Sequence, residues 1–207
     1  GNYYNALPMP LLVTGTIGID TVETPTASAE GVSGGSCAYF AAAAAFHHNP
    51  IRIVGAVGGD WPIEHKSILK SIKGLCLDGL EERSTSKTFS WGGKYFDNMN
   101  QRETLFTELG VLEEPPPTIP ESYSDSRVIF LANSHPTIQL DLLNNFPSRQ
   151  LAVADTMDLW INIANDELHE LFKHIDGLVI NDSEAEQLTG ISNSIEAAKK
   201  AAKICML

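Results

Sequence analysis

Nothing in this chain marks it for a membrane. No apolar run reaches the roughly 18 residues that a membrane-spanning helix needs. No basic-then-apolar leader precedes Leu11, so no secretion signal is read and the chain is expected to be cytoplasmic. Basic residues are scarce too: 14 Lys and Arg stand against 26 Asp and Glu, a formal net charge of −12. Without a Lys/Arg cluster to neutralise phosphates, nucleic acid is excluded as a partner. A nucleotide ligand is not excluded, because Mg²⁺ and helix N-termini can meet its charge locally. Cysteine is limited to Cys37, Cys76 and Cys205, with no C-x-x-C spacing. Those three read as reduced, buried thiols, with neither a disulfide framework nor a metal site. Internal repeats and low-complexity segments are absent. Gly1 to Pro8 read as a disordered or added start.

What is present is the pattern of one globular domain: 207 residues, 43% of them hydrophobic and 19% charged, enough for a sizeable core. The stretch that organises the rest is Val32-Ser-Gly-Gly-Ser-Cys-Ala-Tyr-Phe-Ala-Ala-Ala-Ala-Ala-Phe46. Its alanine run predicts a helix over Ser36–Phe46, and the lack of a charged face predicts burial on most sides. His47 and His48 close that helix, where they meet the negative end of its dipole. Gly34 and Gly35 at its start admit backbone conformations closed to other residues. They would let a ligand approach the unpaired N–H groups of the first turn. The same pair also fits a tight turn into a packed core helix.

Continuous apolar runs at Leu11–Ile17 and Ile51–Val57 flank that helix and predict buried parallel strands. Between the first strand and the helix, Asp20-Thr-Val-Glu-Thr-Pro-Thr26 alternates as a half-exposed strand does. Ile63, Ile68, Leu69 and Ile72 lie at helical spacing over Ile63–Lys73. Two alternating segments around Asp97-Asn-Met-Asn100 predict an antiparallel hairpin across Thr85–Thr107, separate from the main sheet. It reads as a lid or an interaction surface, through which a homodimer would form. After a proline-rich connector at Glu113–Pro120, strands and helices alternate regularly. Strands are expected at Val128–Ala132, Leu151–Ala154 and Gly177–Ile180. Helices are expected at Thr137–Asn145, Asn165–His174, Ser183–Leu188 and Ser194–Leu207. The class is α/β, a doubly wound parallel sheet with a small antiparallel β-lid, in one domain whose lid strands fall at about 20–33 and 86–107.

In an open parallel sheet, ligands collect beyond the carboxyl ends of the strands. Asp20, Gly34-Gly35, Asn133-Ser134-His135, Asp155-Thr-Met-Asp158 and Asn181-Asp-Ser-Glu184 stand there. Each aspartate singly also fits a turn; five polar groups at one rim make a polar cleft. Ser183 and Glu186 match an S-x-x-E capping box, which leaves Asn181 and Glu184 for a metal or phosphate role.

Four stretches together resemble successive motifs of the ribokinase family of carbohydrate and nucleoside kinases, also called the phosphofructokinase B family. They are Val13-Thr-Gly-Thr-Ile-Gly-Ile-Asp20, Gly34-Gly-Ser-Cys-Ala-Tyr-Phe-Ala41, Val54-Gly-Ala-Val-Gly-Gly-Asp60 and Asn181-Asp-Ser-Glu-Ala-Glu-Gln-Leu-Thr-Gly190. The likeness runs in order from Leu11 to Leu207. Asp97–Leu105, Phe130–Asn133 and Asp155–Trp160 are similar to a bacterial sugar-kinase subgroup. The resemblance implies an ATP-dependent kinase acting on a sugar hydroxyl, with ATP and Mg²⁺ as cofactors. It implies sugar contacts by Asp20, Gly34 and Gly35, with Tyr95, Asn100, Arg102, Asn133 and Asp155 as further substrate-binding candidates. Tyr39 replaces an asparagine that contacts the sugar in ribokinases, a departure that argues against ribose itself. Asn181 and Glu184 match the N-x-x-E motif that orders Mg²⁺ and phosphate, Glu184 being the metal candidate. The family's G-A-G-D segment, with its aspartate base and anion hole, has no counterpart before Leu207, so no catalytic residue is expected within these residues. Two alternatives stand beside this one. A nucleoside kinase of the same fold would stack a base on Tyr39 or Phe40, and a non-catalytic module would keep only the sugar-binding half.

Overall fold

The computed structural model of the chain describes residues 9–99 and 101–205; the readings made for Gly1–Pro8, Asn100, Met206 and Leu207 lie outside the described residues. In chain order the first half comprises β1 (Leu11–Thr14), β2 (Gly18–Glu23), β3 (Ser28–Gly34), α1 (Ser36–Ala44), β4 (Ile51–Gly58), α2 (Ile63–Ser71), β5 (Leu75–Arg83), β6 (Phe89–Tyr95) and β7 (Arg102–Glu108). The second half comprises β8 (Val128–Leu131), α3 (Pro136–Leu143), β9 (Leu151–Asp155), α4 (Asp158–Ile163), α5 (Asn165–Phe172), β10 (Gly177–Val179), α6 (Asp182–Thr189) and α7 (Ser194–Ile204).

Two sheets divide the strands. The larger has the order β10-β9-β8-β1-β4-β5, and every pair in it is parallel. Its central strands are apolar but for Thr14 and Arg52, because helices cover both faces. Val13, Ile51, Ile53 and Ile129 lose all contact with solvent. The smaller sheet runs β3-β2-β6-β7. Here β2 pairs with β3 antiparallel and with β6 parallel, and β6–β7 is the expected hairpin. The hairpin therefore stands outside the main sheet, and the α/β class with an antiparallel lid holds.

Several local readings need correction. The alanine helix ends at Ala44 and buries only Cys37, Ala38 and Ala41, while Tyr39 is 65% exposed. One face packs on β1 and β4 and the other meets water. Exposed methyl groups cost little, so alanine supplies helix propensity without demanding burial. Phe46 lies past the helix at 87% exposure, and His48 turns its Nε2 to the Met9 carbonyl at 2.6 Å. Of the three thiols only Cys37 is fully buried. In α2 it is His65 and Leu69 that are buried, whereas Ile63 and Ile68 face solvent.

Two elements escape the sequence reading. Strand β5 forms an edge of the main sheet, and Asp78, Glu81 and Glu82 break up its apolar signal. Helix α4 is a short turn of helix between β9 and α5 that the D-T-M-D motif disguises as loop.

The capping box at α6 is also displaced. Asn181 is the N-cap, its side chain accepting from the Glu184 amide at 2.8 Å while Glu184 Oε2 accepts from the Asn181 amide at 3.0 Å. Glu186 instead accepts from the Ser192 hydroxyl at 2.5 Å. The helix begins at Asp182, so only the pair three residues apart from its true N-cap can close the box.

Candidate functional site

The site is built from the first strand outward. After Thr14 the chain leaves the main sheet at Gly15 (φ +131°), where any Cβ would sit 2.2 Å from the Ala132 carbonyl oxygen. Thr16 is fixed next, its amide donating to the Asn133 carbonyl at 3.0 Å and its hydroxyl donating to the same oxygen. This brings the exits of β1 and β8 together. Strand β2 then rises into the small sheet, with Asp20 opposite Trp91 on β6 and Val32 on β3.

The two glycines act differently from the way the sequence suggests. A Cβ on Gly34 would fall 2.2 Å from the Asp20 carboxyl carbon, so the missing side chain makes room for Asp20, not for a ligand. Gly35 has φ +90°, and a Cβ there would lie 2.3 Å from the Thr16 carbonyl oxygen. That oxygen accepts from the Cys37 amide at 3.0 Å. One donor of the first turn of α1 is thus used by the protein itself.

The Asp20 carboxylate is half-buried and its Oδ1 is fully buried without a partner. Burial pushes its pKa up to about 6, because the charged form loses hydration that nothing replaces. Asp155 closes β9 on the main sheet and also has a buried, unpartnered Oδ1. Its pKa rises to about 7, first through burial and then through the negative charge of Glu184, while the Ser36 hydroxyl and the Asn133 amide pull the other way. Thr156 follows, 7% exposed, its hydroxyl unpartnered as well.

Asn133 is held rigidly. Its Oδ1 accepts from the Trp160 indole at 2.8 Å, its Nδ2 lies 3.1 Å from Met157 Sδ, and its backbone amide donates to the Ser36 hydroxyl at 2.9 Å. Most of its hydrogen-bonding capacity goes to positioning the rim.

The small sheet supplies the aromatic wall. Phe89, Trp91 and Tyr95 lie on one face of β6, as period-2 alternation requires. Arg102 on β7 lies over the Trp91 ring at 5.5 Å and reaches across to Glu184, Nη2 to Oε1 at 3.7 Å. Glu184 is 6% exposed, and burial raises its pKa most. Tyr39 stands at the mouth of the cleft and donates to the Ser33 carbonyl at 2.9 Å.

These groups enclose one cleft of about 380 Å³ between the two sheets, within the usual size of small-molecule sites. It brings together Asp20, Gly35, Tyr39, Arg102, Asn133, Asp155 and Glu184. Gly34 lies beneath Asp20 and does not line it. Asn181 faces a neighbouring groove of about 560 Å³ along β10 and α7. Phe40 stacks on Phe130 with ring centroids 3.9 Å apart and packs, half-buried, against the core, and it does not line the cleft. Thr16, Ser36, Phe89, Thr156 and Met157 also line the cleft. Thr156 and Met157 fall within the Asp155–Asp158 rim group. Thr16, Ser36 and Phe89 are neither charged nor amide residues at a strand end, so the rim rule passes over them.

Among the described residues, no group of three or more His, Cys, Asp or Glu side chains is arranged to hold a metal ion. No helix is long and apolar enough to cross a membrane.

No family model matches the chain. The chain is similar to the cytidine kinase of Thermococcus kodakarensis, with 27% identity over 197 residues that make up 92% of the chain and 68% of that protein. Among solved structures it is similar to the nucleoside kinase of Methanocaldococcus jannaschii, an archaeal member of the ribokinase family. That match has a TM-score of 0.67 and 17% identity, covering 90% of the chain and 65% of that protein. It is similar also to the Arabidopsis thaliana ribokinase complexed with ribose and ATP, with a TM-score of 0.68 and 19% identity, covering 96% of the chain and 70% of that protein. The chain thus spans about two thirds of the length of these relatives, and over that span it has the ribokinase-like fold.

Proposed function

We propose that the chain is the substrate-holding part of an ATP-dependent kinase that transfers the γ-phosphoryl group to a hydroxyl of a sugar. One observation carries this reading most: Asp20, whose Oδ1 is buried without a partner, lines a cleft with aromatic walls. An ionised carboxylate only accepts hydrogen bonds, and leaving it unpaired costs free energy that a substrate hydroxyl would recover. The ribokinase complexed with ribose and ATP supports the sugar and the nucleotide as partners.

Glu184 fits a share in holding Mg²⁺. Its Oε2 is used by the capping box, and Oε1 has only the long contact to Arg102. Mg²⁺ keeps several of its waters and needs only one or two carboxylates besides substrate phosphates. Bound there, it would neutralise charge on the transferring phosphoryl group. Asn181 would hold Glu184 in place through the capping box. The G-A-G-D segment that the family resemblance implies does not occur in this sequence.

A nucleoside as acceptor is the second reading. The exposed Tyr39 and the wall of Trp91 and Tyr95 favour it, since such faces stack on a base, and the similarity to a cytidine kinase supports it. A homodimer through the small sheet belongs to the same proposal, favoured by Leu105 and Phe106, which are 43% and 39% exposed on β7.

The test is an ATP-turnover assay with ribose, fructose and cytidine on the whole protein and on the 207-residue chain. Transfer by the whole protein to one of these, with none by the 207 residues alone, is expected. Turnover by these residues alone on the order of 1–100 s⁻¹, as ordinary kinases show, refutes the need for the G-A-G-D segment. No transfer by either refutes the kinase reading.

A further inference from the structure

The cleft is acidic on the side where a substrate would sit. Asp20, Asp155 and Glu184 line it, and among its described lining residues the cation is Arg102. That guanidinium is already engaged with Glu184 and the Trp91 ring. Neither a lysine nor a histidine is among the lining residues. Three oxygens there are buried without partners: Asp20 Oδ1 on the small sheet, and Asp155 Oδ1 and Thr156 Oγ1 at the end of β9 on the main sheet. Thr156 is 7% exposed, so its hydroxyl is withdrawn from water as thoroughly as a core group. Buried polar atoms are almost always paired in native proteins. Three orphans on residues that line one cavity point to a ligand that pairs them.

We propose that Asp155 and Thr156 form a second substrate subsite which, with Asp20 across the cleft, admits uncharged, donor-bearing substrates and excludes those carrying a phosphate or carboxylate. The inference rests on the cleft being the substrate site. An O–H or N–H group of the substrate donates to Asp155, and the adjacent Thr156 hydroxyl either donates or accepts as the substrate requires. A ligand bridging Asp20 and Asp155 ties the small sheet to the main one. An anionic group would meet two carboxylates, without a cation to spare. Discrimination then comes from repulsion as well as from attraction.

The experiment is calorimetric titration of the 207-residue protein with two matched pairs: ribose against ribose 5-phosphate, and cytidine against cytidine monophosphate. The neutral member of at least one pair should bind about tenfold or more tightly than its phosphate, a gap typical of one repulsive contact. Asp155→Asn, which keeps shape and removes charge, should shrink that gap. Thr156→Val, an isosteric change, should weaken the neutral ligand about three- to tenfold, as the loss of one hydrogen bond does. Melting curves confirm that both variants are folded. Phosphates binding as tightly as their parents, no binding by either neutral ligand, or an unchanged gap in Asp155→Asn overturns the proposal. The kinase reading fails separately. A protein that discriminates by charge but transfers no phosphate upholds this inference against it, and a protein that phosphorylates an anionic acceptor does the reverse.

Discussion

Asp20→Asn separates a substrate-binding carboxylate from one that holds the fold together, because the two roles predict opposite changes in stability. Asp20 titrates near 6 in the folded protein, against 3.8 for an ordinary aspartate. The folded state therefore holds its proton more tightly than the unfolded chain does. The stability this contributes is fully present below pH 3.8 and is lost as pH rises through about 6. Above that, the ionised and unpaired carboxylate is a liability. Complete shielding would make the shift worth about 3 kcal/mol. The side chain is only half-buried, so solvent screening brings this to about 1–2 kcal/mol. Asparagine keeps the shape and carries no charge to desolvate. At pH 8 the variant should thus be more stable by about 1–2 kcal/mol, which for a chain of this size raises the melting temperature by roughly 2–8 °C. At pH 4 the difference should nearly vanish. Thermal melts of both proteins across that range are the assay. A variant less stable than wild type at pH 8 refutes the argument, for it would mean that Asp20 supports β2 through bonds that asparagine cannot make.

Two further substitutions probe the frame around the cleft. Gly35→Ala must place a Cβ at φ +90° and 2.3 Å from the Thr16 carbonyl oxygen, so urea denaturation should show a loss of about 3 kcal/mol or more. A loss below about 1 kcal/mol would mean that this turn rearranges freely. Trp160→Phe removes the indole donor from Asn133 Oδ1. It should cost about 1–3 kcal/mol in the same measurement and weaken ligand binding, whereas unchanged stability and affinity would show that Asn133 needs no such support.

The fold was legible wherever the chain is buried on both faces. Runs such as Leu11-Leu-Val-Thr and Ile51-Arg-Ile-Val-Gly-Ala-Val are nearly continuous because few polar groups survive between two helix layers. The hairpin was legible for the opposite reason, its alternation marking a sheet with one wet face. Edge strand β5 was not, since its acids are tolerated only because one side of it has no neighbour. The candidate cleft was legible in part: Asn133 and Asp155 stand at strand ends as the rim rule expects, whereas Asp20 lies within β2. What each does was not. That Gly34 shelters Asp20 depends on register across two strands. The bond between Trp160 and Asn133 joins residues 27 positions apart, and nothing local announces it. At α6 both N-x-x-E and S-x-x-E fit the capping pattern, and only the backbone start of the helix decides between them.

The central claim is that substrate is held in the cleft between the two sheets by Asp20. A crystal structure of this protein grown with ribose or cytidine tests it most directly. The account predicts a ligand hydroxyl within hydrogen-bonding distance of Asp20 Oδ1, with a ring of the ligand against Trp91 or Tyr39. Ligand density in the groove along β10, or in the cleft but turned away from Asp20, would contradict it.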